Sequence, residues 1–214
     1  MSYKAILFDL DGTLLHSAPT LRYELVMRTL DDLGASAPDH YIDRRYIDQW
    51  WFECDRTRII KEHFRVDPEA FWKALQRHNT EELNKQHIQT YDDVSVLREL
   101  REQGYNTGVV TGTPRHLAQC KIGLLGEELF DVIIVCDSIN QVKPKPDPDG
   151  LQKAMFLLGV QPGATIYVGN AYEDVLAAKN AGVLDVLINR KEYRFPHARP
   201  TATIDSLYEL RHLL

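Results

Sequence analysis

The sequence has few cysteines and no long apolar run. Its three cysteines, Cys54, Cys120 and Cys136, are far apart in the 214-residue chain, and no Cys-x-x-Cys pair occurs. This pattern argues against a disulfide or zinc framework and indicates reduced thiols. No apolar stretch approaches the roughly 20 residues that cross a bilayer, and the first residues lack the apolar block of a signal peptide. We therefore expect a cytoplasmic protein that does not bind a membrane.

The sequence also lacks an excess of positive charge. Lysine and arginine number 25 against 31 aspartates and glutamates, which gives a formal net charge of −6. This balance argues against non-specific binding of nucleic acid. It also means that an anionic ligand would need cations close to its binding site, because the overall field of the protein repels it. No internal repeat or low-complexity tract is present.

The most informative segment is an apolar run that ends in two aspartates. Residues 5–8 are Ala-Ile-Leu-Phe, and they are followed by Asp9, Leu10, Asp11 and Gly12. Residues two apart in a strand point to the same side, so the two carboxylates would project together from the end of the strand. Two carboxylates at this distance need a cation or a shared proton. The pair is therefore a candidate catalytic or metal-binding site.

Apolar and β-branched runs alternate with helix-like segments over most of the chain. The runs cover residues 3–9, 107–111, 131–136, 164–169 and 184–189, and the helix-like segments cover 92–103, 114–122, 148–159, 172–181 and 205–213. Such alternation is typical of an α/β fold with a doubly wound parallel sheet covered by helices on both faces. In this fold, ligands bind beyond the carboxyl ends of the strands.

Residues 17–88 interrupt the alternation and predict an inserted helical domain. Amphipathic patterns cover residues 20–33, 41–64 and 68–83, with little strand character between them. We therefore expect an α/β core domain made of residues 1–16 and 89–214, with an inserted α-helical domain at 17–88.

Tryptophan occurs only in the expected insertion. Trp50, Trp51 and Trp72 all lie there, and we expect them to form its core rather than a surface for stacking a ligand. Arg44 and Arg45 also lie in the insertion. They could contact an anion, although arginines on a helix usually face solvent.

Four motifs, in order, resemble those of the haloacid dehalogenase-like (HAD) hydrolases. They are Asp-Leu-Asp-Gly-Thr at residues 9–13, Val-Val-Thr-Gly at 109–112, Lys-Pro-Lys-Pro-Asp-Pro at 143–148 and Val-Gly-Asn-Ala-Tyr-Glu-Asp at 168–174. The chain is similar to the phosphoglycolate-phosphatase-like branch, and the insertion resembles the helical cap domain of its C1 class. The resemblance implies a phosphatase that hydrolyses a small phosphorylated metabolite and acts as a monomer or homodimer.

The resemblance also assigns catalytic roles. Asp9 would attack phosphorus to form an aspartyl-phosphate, and Asp11 would be the general acid and base. The Thr111 hydroxyl, together with Gly112, would bind the phosphoryl group. Lys143 would balance negative charge at the site. Lys143 and its neighbour Lys145 are equivalent on the residues alone, and the family pattern, which places its lysine before the first proline of Lys-Pro-x-Pro, implies Lys143.

A Mg²⁺ cofactor follows from the same resemblance, with one departure from the family pattern. The ion would be bound by Asp9, by the backbone carbonyl of Asp11 and by the fourth motif. In that motif Asn170 occupies the position where the family has its first acid, and Asp174 remains as a second candidate ligand. An asparagine oxygen can bind Mg²⁺ but brings no charge. The alternative is therefore a catalytically weakened or inactive HAD-fold protein with a binding or regulatory role.

Overall fold

The computed structural model describes residues 2–35 and 42–214. The chain forms two compact units. The core unit contains residues 1–16 and 89–214, and the helical unit contains residues 17–88. Within each unit the apolar side chains form their own buried cluster.

Eight strands and nine α-helices occur in the described residues. The strands are β1 (Ala5–Phe8), β2 (Leu15–Ser17), β3 (Ile88–Thr90), β4 (Asn106–Thr111), β5 (Val132–Val135), β6 (Thr165–Gly169), β7 (Leu184–Ile188) and β8 (Ala202–Ile204). The α-helices are α1 (Pro19–Asp32), α2 (Arg44–Phe52), α3 (Arg56–Ile59), α4 (Pro68–His78), α5 (Glu81–His87), α6 (Val96–Glu102), α7 (Arg115–Leu125), α8 (Asp149–Leu158) and α9 (Tyr172–Ala181). Short 3₁₀ turns and one π-helical turn, Ile60–Phe64, complete them.

Six strands form a parallel sheet in the order β5-β4-β1-β6-β7-β8. Strand β1 is central, and each of its residues is fully buried. Ala5 and Leu7 contribute to the apolar cluster that includes α8 and α9. Ile6 and Phe8 point to the opposite face, because side chains alternate along a strand. Burial on both faces explains why β1 is continuously apolar, and the predicted doubly wound α/β fold is confirmed.

The helical unit differs from its sequence prediction in where the helices end. The segment expected to be one helix over 41–64 is divided, because α2 ends at Phe52 and the Asp55 side chain accepts a hydrogen bond from the Arg58 amide (3.3 Å) to begin α3. Tyr41, where that helix was expected to begin, lies outside the described residues. The pattern over 68–83 is divided in the same way, by the Thr80 side chain at the start of α5.

The aromatic residues of the helical unit form its core. Trp50 is 3 % exposed, and its ring lies against Phe71 and Trp72, with ring centroids 5.2 and 5.4 Å away. Trp51 and Trp72 are partly buried against the same cluster. Arg44 stacks on Tyr23. These contacts are the ones expected of a self-contained helical core.

Two further elements of the core unit differ from the sequence prediction. Strand β8 was not predicted, because three residues are too few to show a period. The segment expected as a helix over 205–213 is a 3₁₀ turn, Leu207–His212. None of the helices in the described part of the chain is long and apolar enough to cross a membrane.

A buried ion pair joins three distant segments of the core unit. Arg190 follows β7, and its guanidinium donates to both carboxylate oxygens of Asp93 (2.8 and 2.9 Å) and to the Thr13 carbonyl (2.7 Å). The two charged side chains are 7 % and 8 % exposed. The guanidinium also lies 3.7 Å from the centroid of the Tyr91 ring. The pair therefore connects the loop after β1 with the segment before α6 and the end of β7.

We expect Arg190→Met to lower the free energy of unfolding by about 3 kcal/mol or more, because it leaves Asp93 as an unpaired buried carboxylate. Arg211→Met is the matched control. Arg211 pairs with Glu99 where both side chains are nearly half exposed, and loss of such a pair costs about 1 kcal/mol or less. Urea unfolding of the two variants measures both values. Equal destabilisation would show that the buried pair contributes no more to stability than the exposed pair.

Candidate active site

The motif residues lie together at the carboxyl ends of three neighbouring strands. Asp9 follows β1, and its backbone amide donates to the Val168 carbonyl of β6 (2.8 Å). Thr111 ends β4 on the other side of β1. Asn170 directly follows β6. Because the strands are parallel, the ends meet at one edge of the sheet, where α/β folds bind ligands.

A buried lysine connects the nucleophile candidate with the fourth motif. Lys145 Nζ lies 2.6 Å from Asp9 Oδ1 and 2.6 Å from Asp174 Oδ1. The side chains are 6 %, 9 % and 2 % exposed. The Tyr167 hydroxyl also donates to Asp174 Oδ1 (3.0 Å). One cation thus contacts two carboxylates, one from the loop after β1 and one from the first turn of α9.

This arrangement corrects the choice of Lys143. The Lys143 side chain is 69 % exposed and pairs with Asp147 (3.4 Å) and Asp149 (3.8 Å), in the loop that leads into α8. The stretch contains Lys-Pro-x-Pro twice, starting at Lys143 and again at Lys145. The second copy supplies the buried lysine, so the structure places Lys145 rather than Lys143 beside Asp9.

Asp174 also has a different role from the one expected. Its Oδ1 accepts from Lys145 and Tyr167, and its Oδ2 accepts from the backbone amide of Ala171 at the start of α9 (2.9 Å). Gly169 makes the position possible, because a Cβ there would lie 2.3 Å from Asp174 Cβ. Both oxygens of Asp174 are therefore engaged within the protein, and its ionic partner is Lys145.

Burial and neighbouring charges have opposite effects on the pKa values of Asp9 and Lys145. Burial raises the pKa of Asp9 to about 7, although Lys145 opposes this effect. Burial by itself lowers the pKa of Lys145, but the carboxylates of Asp174 and Asp9 raise it well above its ordinary value. Lys145 is therefore a permanent cation, and it favours the ionised form of Asp9 that a nucleophile requires.

Asp11 is held by two groups from the segment after β4. Its Oδ1 lies 2.7 Å from Lys121 Nζ, and its Oδ2 accepts a hydrogen bond from the Thr113 hydroxyl. Thr111 in turn donates its hydroxyl to Thr113 Oγ1 (3.0 Å). The Asp11 carboxyl is about one-third exposed, whereas Asp9 is buried. The two aspartates thus differ in solvent access and have different cations.

Asn170 packs directly on the loop after β1. A Cβ added to Gly12 would lie 2.0 Å from Asn170 Nδ2, so only glycine fits beneath the amide. Gly12 also has a φ of +77°, which glycine adopts without strain. Gly112, in contrast, is exposed and has open space around it. A phosphoryl group could therefore approach its backbone amide.

The candidate metal ligands are all oxygen atoms. They are a carboxylate oxygen of Asp9, the amide oxygen of Asn170 and the backbone carbonyl of Asp11. Within residues 2–35 and 42–214, no group of three or more histidine, cysteine, aspartate or glutamate side chains is arranged as a metal site. The donor set nevertheless fits Mg²⁺, which commonly takes one or two carboxylates and completes its shell with water and phosphate oxygens.

Sequence reasoning missed three residues of the site: Lys121, Thr113 and Arg190. Lys121 and Arg190 reach the loop after β1 from 110 and 177 residues away in sequence. A local signal existed only for Lys121, which lies on the apolar face of α7 between Leu117 and Leu125. A charged residue at this position of an amphipathic helix needs a buried partner.

The comparisons with known proteins agree with the geometry. The family model of the haloacid dehalogenase-like hydrolases matches residues 6–188. Pyrophosphatase PpaX of Halalkalibacterium halodurans is 32 % identical over 193 residues, which cover 88 % of this chain and 84 % of the relative. The chain is also similar to PpaX of Bacillus mycoides, at 28 % identity over 193 residues, covering 88 % and 85 %.

Two solved structures are also similar to this one. A HAD phosphatase from Thermococcus onnurineus has a TM-score of 0.70 and 31 % identity, and the match covers 98 % of this chain and 97 % of the other. A HAD-superfamily hydrolase from Geobacter sulfurreducens has a TM-score of 0.74 with both chains fully covered, and its 19 % identity shows a likeness of fold alone. The chain belongs to the haloacid dehalogenase-like hydrolase family, in its phosphatase-like branch, as its four motifs predicted.

Proposed function

We propose that this protein is a Mg²⁺-dependent phosphatase that hydrolyses a small phosphorylated metabolite through an aspartyl-phosphate on Asp9. The observation that supports this most strongly is the buried contact between Asp9 and Lys145, at 2.6 Å. A buried carboxylate that is fixed by one cation is oriented as a nucleophile requires, whereas a solvated carboxylate is free to rotate.

The first chemical step transfers the phosphoryl group to the protein. An oxygen of Asp9 forms a bond to phosphorus while the bond from phosphorus to the leaving oxygen breaks. The leaving oxygen takes the electron pair of that bond and a proton from Asp11. The exposed fraction of Asp11 is larger than that of Asp9, which suits a group that must reach a leaving oxygen and then water.

The second step releases phosphate. Water attacks the phosphorus of the aspartyl-phosphate, and the Asp11 carboxylate takes a proton from that water. The bond between phosphorus and Asp9 breaks, and the Asp9 carboxylate is restored beside Lys145. Asp11 ends this step protonated, ready for the next substrate.

Charge on the phosphoryl group would be balanced by groups from several segments at this edge of the sheet. Lys145 supplies a positive charge beside the attacking oxygen. The Thr111 hydroxyl and the backbone amide of Gly112 would donate to phosphoryl oxygens. Mg²⁺, bound by Asp9, the Asp11 carbonyl and Asn170, would supply Lewis-acid stabilisation of the phosphoryl oxygens. These local cations compensate for the overall negative charge of the protein.

The rival function, an inactive binding protein, depends on Asn170 alone. The contacts of Asp9 with Lys145, and of Asp11 with Lys121 and Thr113, support the active alternative. Substrates to test first are inorganic pyrophosphate, because relatives at about 30 % identity carry the name pyrophosphatase, and phosphoglycolate, sugar phosphates and nucleoside monophosphates. A screen with and without Mg²⁺ separates the active and inactive alternatives.

Asp9→Asn should remove turnover almost completely, because an amide oxygen is too weak a nucleophile to form the phosphoryl bond. Asp11→Asn should slow turnover by about 10²–10⁴-fold, the usual size of an acid–base contribution. Steady-state kinetics on the best substrate measures both effects, and circular dichroism checks that each variant is folded. Wild-type rates in Asp9→Asn would disprove the nucleophile assignment.

The two lysines of the third motif give a second test. Lys145→Met should lower kcat by about 10²–10³-fold, because it removes the charge beside the attacking oxygen. Lys143→Met removes an exposed charge from the same loop, and we expect a kcat within about threefold of wild type. The opposite order of effects would restore Lys143 as the catalytic lysine.

Asn170→Asp should raise the affinity for Mg²⁺, because a carboxylate adds a negative charge to the ligand set. The Mg²⁺-dependent rise in melting temperature reports this affinity without any substrate. Asn106→Asp, at the opposite end of β4, is the control for the added charge alone. If the two variants respond to Mg²⁺ identically, Asn170 does not contribute to the metal site.

A further inference from the structure

Lys121 is a buried lysine whose observed ionic partner is the candidate general acid. Its side chain is 6 % exposed, and Nζ lies 2.7 Å from Asp11 Oδ1. The Thr113 hydroxyl occupies the second oxygen, Oδ2. Both oxygens of the Asp11 carboxyl are therefore held, each by a different side chain of the segment after β4.

Lys121 lies on the buried face of its helix, where a charged side chain loses its contact with water at a cost in free energy. It lies in α7, one turn from Leu117 and one turn from Leu125, on the face where these two leucines are buried. An apolar side chain would pack there without desolvating a charge, and buried ion pairs seldom stabilise a fold more than apolar residues of similar size. Packing alone does not explain a lysine at this site.

The charges of the site are divided between two lysines. Lys145 contacts Asp9 and Asp174, whereas Lys121 contacts Asp11. The nucleophile and the acid are thus oriented independently, by cations from different segments. Independent orientation matters, because Asp9 must point at phosphorus while Asp11 must point at the leaving oxygen.

We propose that Lys121 is a positioning residue that, with Thr113, fixes the Asp11 carboxyl in the orientation for proton transfer to the leaving oxygen. This inference rests on the proposed function of Asp11. Lys121 would act through Asp11 and would not contact the substrate. It limits the rotation of Asp11, so that the acidic oxygen stays within hydrogen-bonding distance of the leaving oxygen.

The leaving group provides a readout that a purely structural role would not change. An alkoxide needs a proton as it leaves, whereas p-nitrophenolate leaves readily without one. A misplaced Asp11 therefore slows hydrolysis of an alkyl phosphate much more than hydrolysis of p-nitrophenyl phosphate. A general loosening of the site slows both substrates alike.

The experiment compares Lys121→Met, Lys121→Arg and Lys179→Met on p-nitrophenyl phosphate and on the best alkyl phosphate of the screen. Lys121→Met should lower kcat for the alkyl phosphate by about 10²-fold, the lower end of an acid–base contribution, with KM little changed. For p-nitrophenyl phosphate the loss should be about threefold or less. Lys121→Arg should recover most of the activity. Lys179, a helix lysine 3.7 Å from Asp185, is the control and should show wild-type kinetics.

A double-mutant cycle with Asp11→Asn tests whether Lys121 acts through Asp11. In the Asp11→Asn background, Lys121→Met should cause no further loss on the alkyl phosphate. If Lys121→Met does not fold, Thr113→Val removes the other contact to Asp11 and should give the same dependence on the leaving group.

Three outcomes would overturn the proposal. They are equal losses on the two substrates, additive losses in the cycle, and wild-type kinetics in Lys121→Met. Failure of the proposed function gives a different result. On each substrate, the wild-type protein would then be as slow as Asp9→Asn, and the proposed role of Lys121 would be disproved as well.

Discussion

The site depends on one buried cation. The Lys145 side chain is only 6 % exposed, so its charge must be balanced by nearby carboxylates. Asp9 and Asp174 provide that balance, and they come from the end of β1 and from the first turn of α9. Removing Lys145 would leave two buried carboxylates close together without a cation. These ion pairs connect the loop after β5 with the loop after β1 and with the start of α9.

The loop after β1 is held at every second residue by a different cation, which gives the site its rigidity. The contacts are Asp9 with Lys145, Asp11 with Lys121, and the Thr13 carbonyl with Arg190. The three cations approach from different segments, so no single loop movement releases the whole motif. Gly12 lies between the second and third contacts, where the Asn170 amide leaves no space for a side chain. A rigid loop of this kind keeps a nucleophile aimed while the substrate exchanges.

The sequence predicted the framework of this site and missed the residues that hold it. Asp9, Asp11, Thr111 and Asn170 could be identified, because each follows an apolar run and strand ends meet at one edge of a parallel sheet. The lysine was misassigned, since Lys-Pro-x-Pro occurs in two overlapping registers and local pattern cannot tell which side chain is buried. The partners of Asp11 and Thr13 could not be predicted in the same way, because their contacts join residues more than 100 positions apart.

The central place of β1 in the sheet has a consequence for biosynthesis. Strand β1 is made first, yet its two neighbours are β4 and β6, whose last residues are Thr111 and Gly169. Strand β1 therefore has neither neighbour until β4 has been synthesised, and it lacks the second neighbour until β6 follows. The helical unit, whose apolar cluster uses only residues within its own segment, has its partners much earlier. The catalytic edge of the sheet thus depends on pairings between segments that are far apart in sequence, and such pairings slow folding.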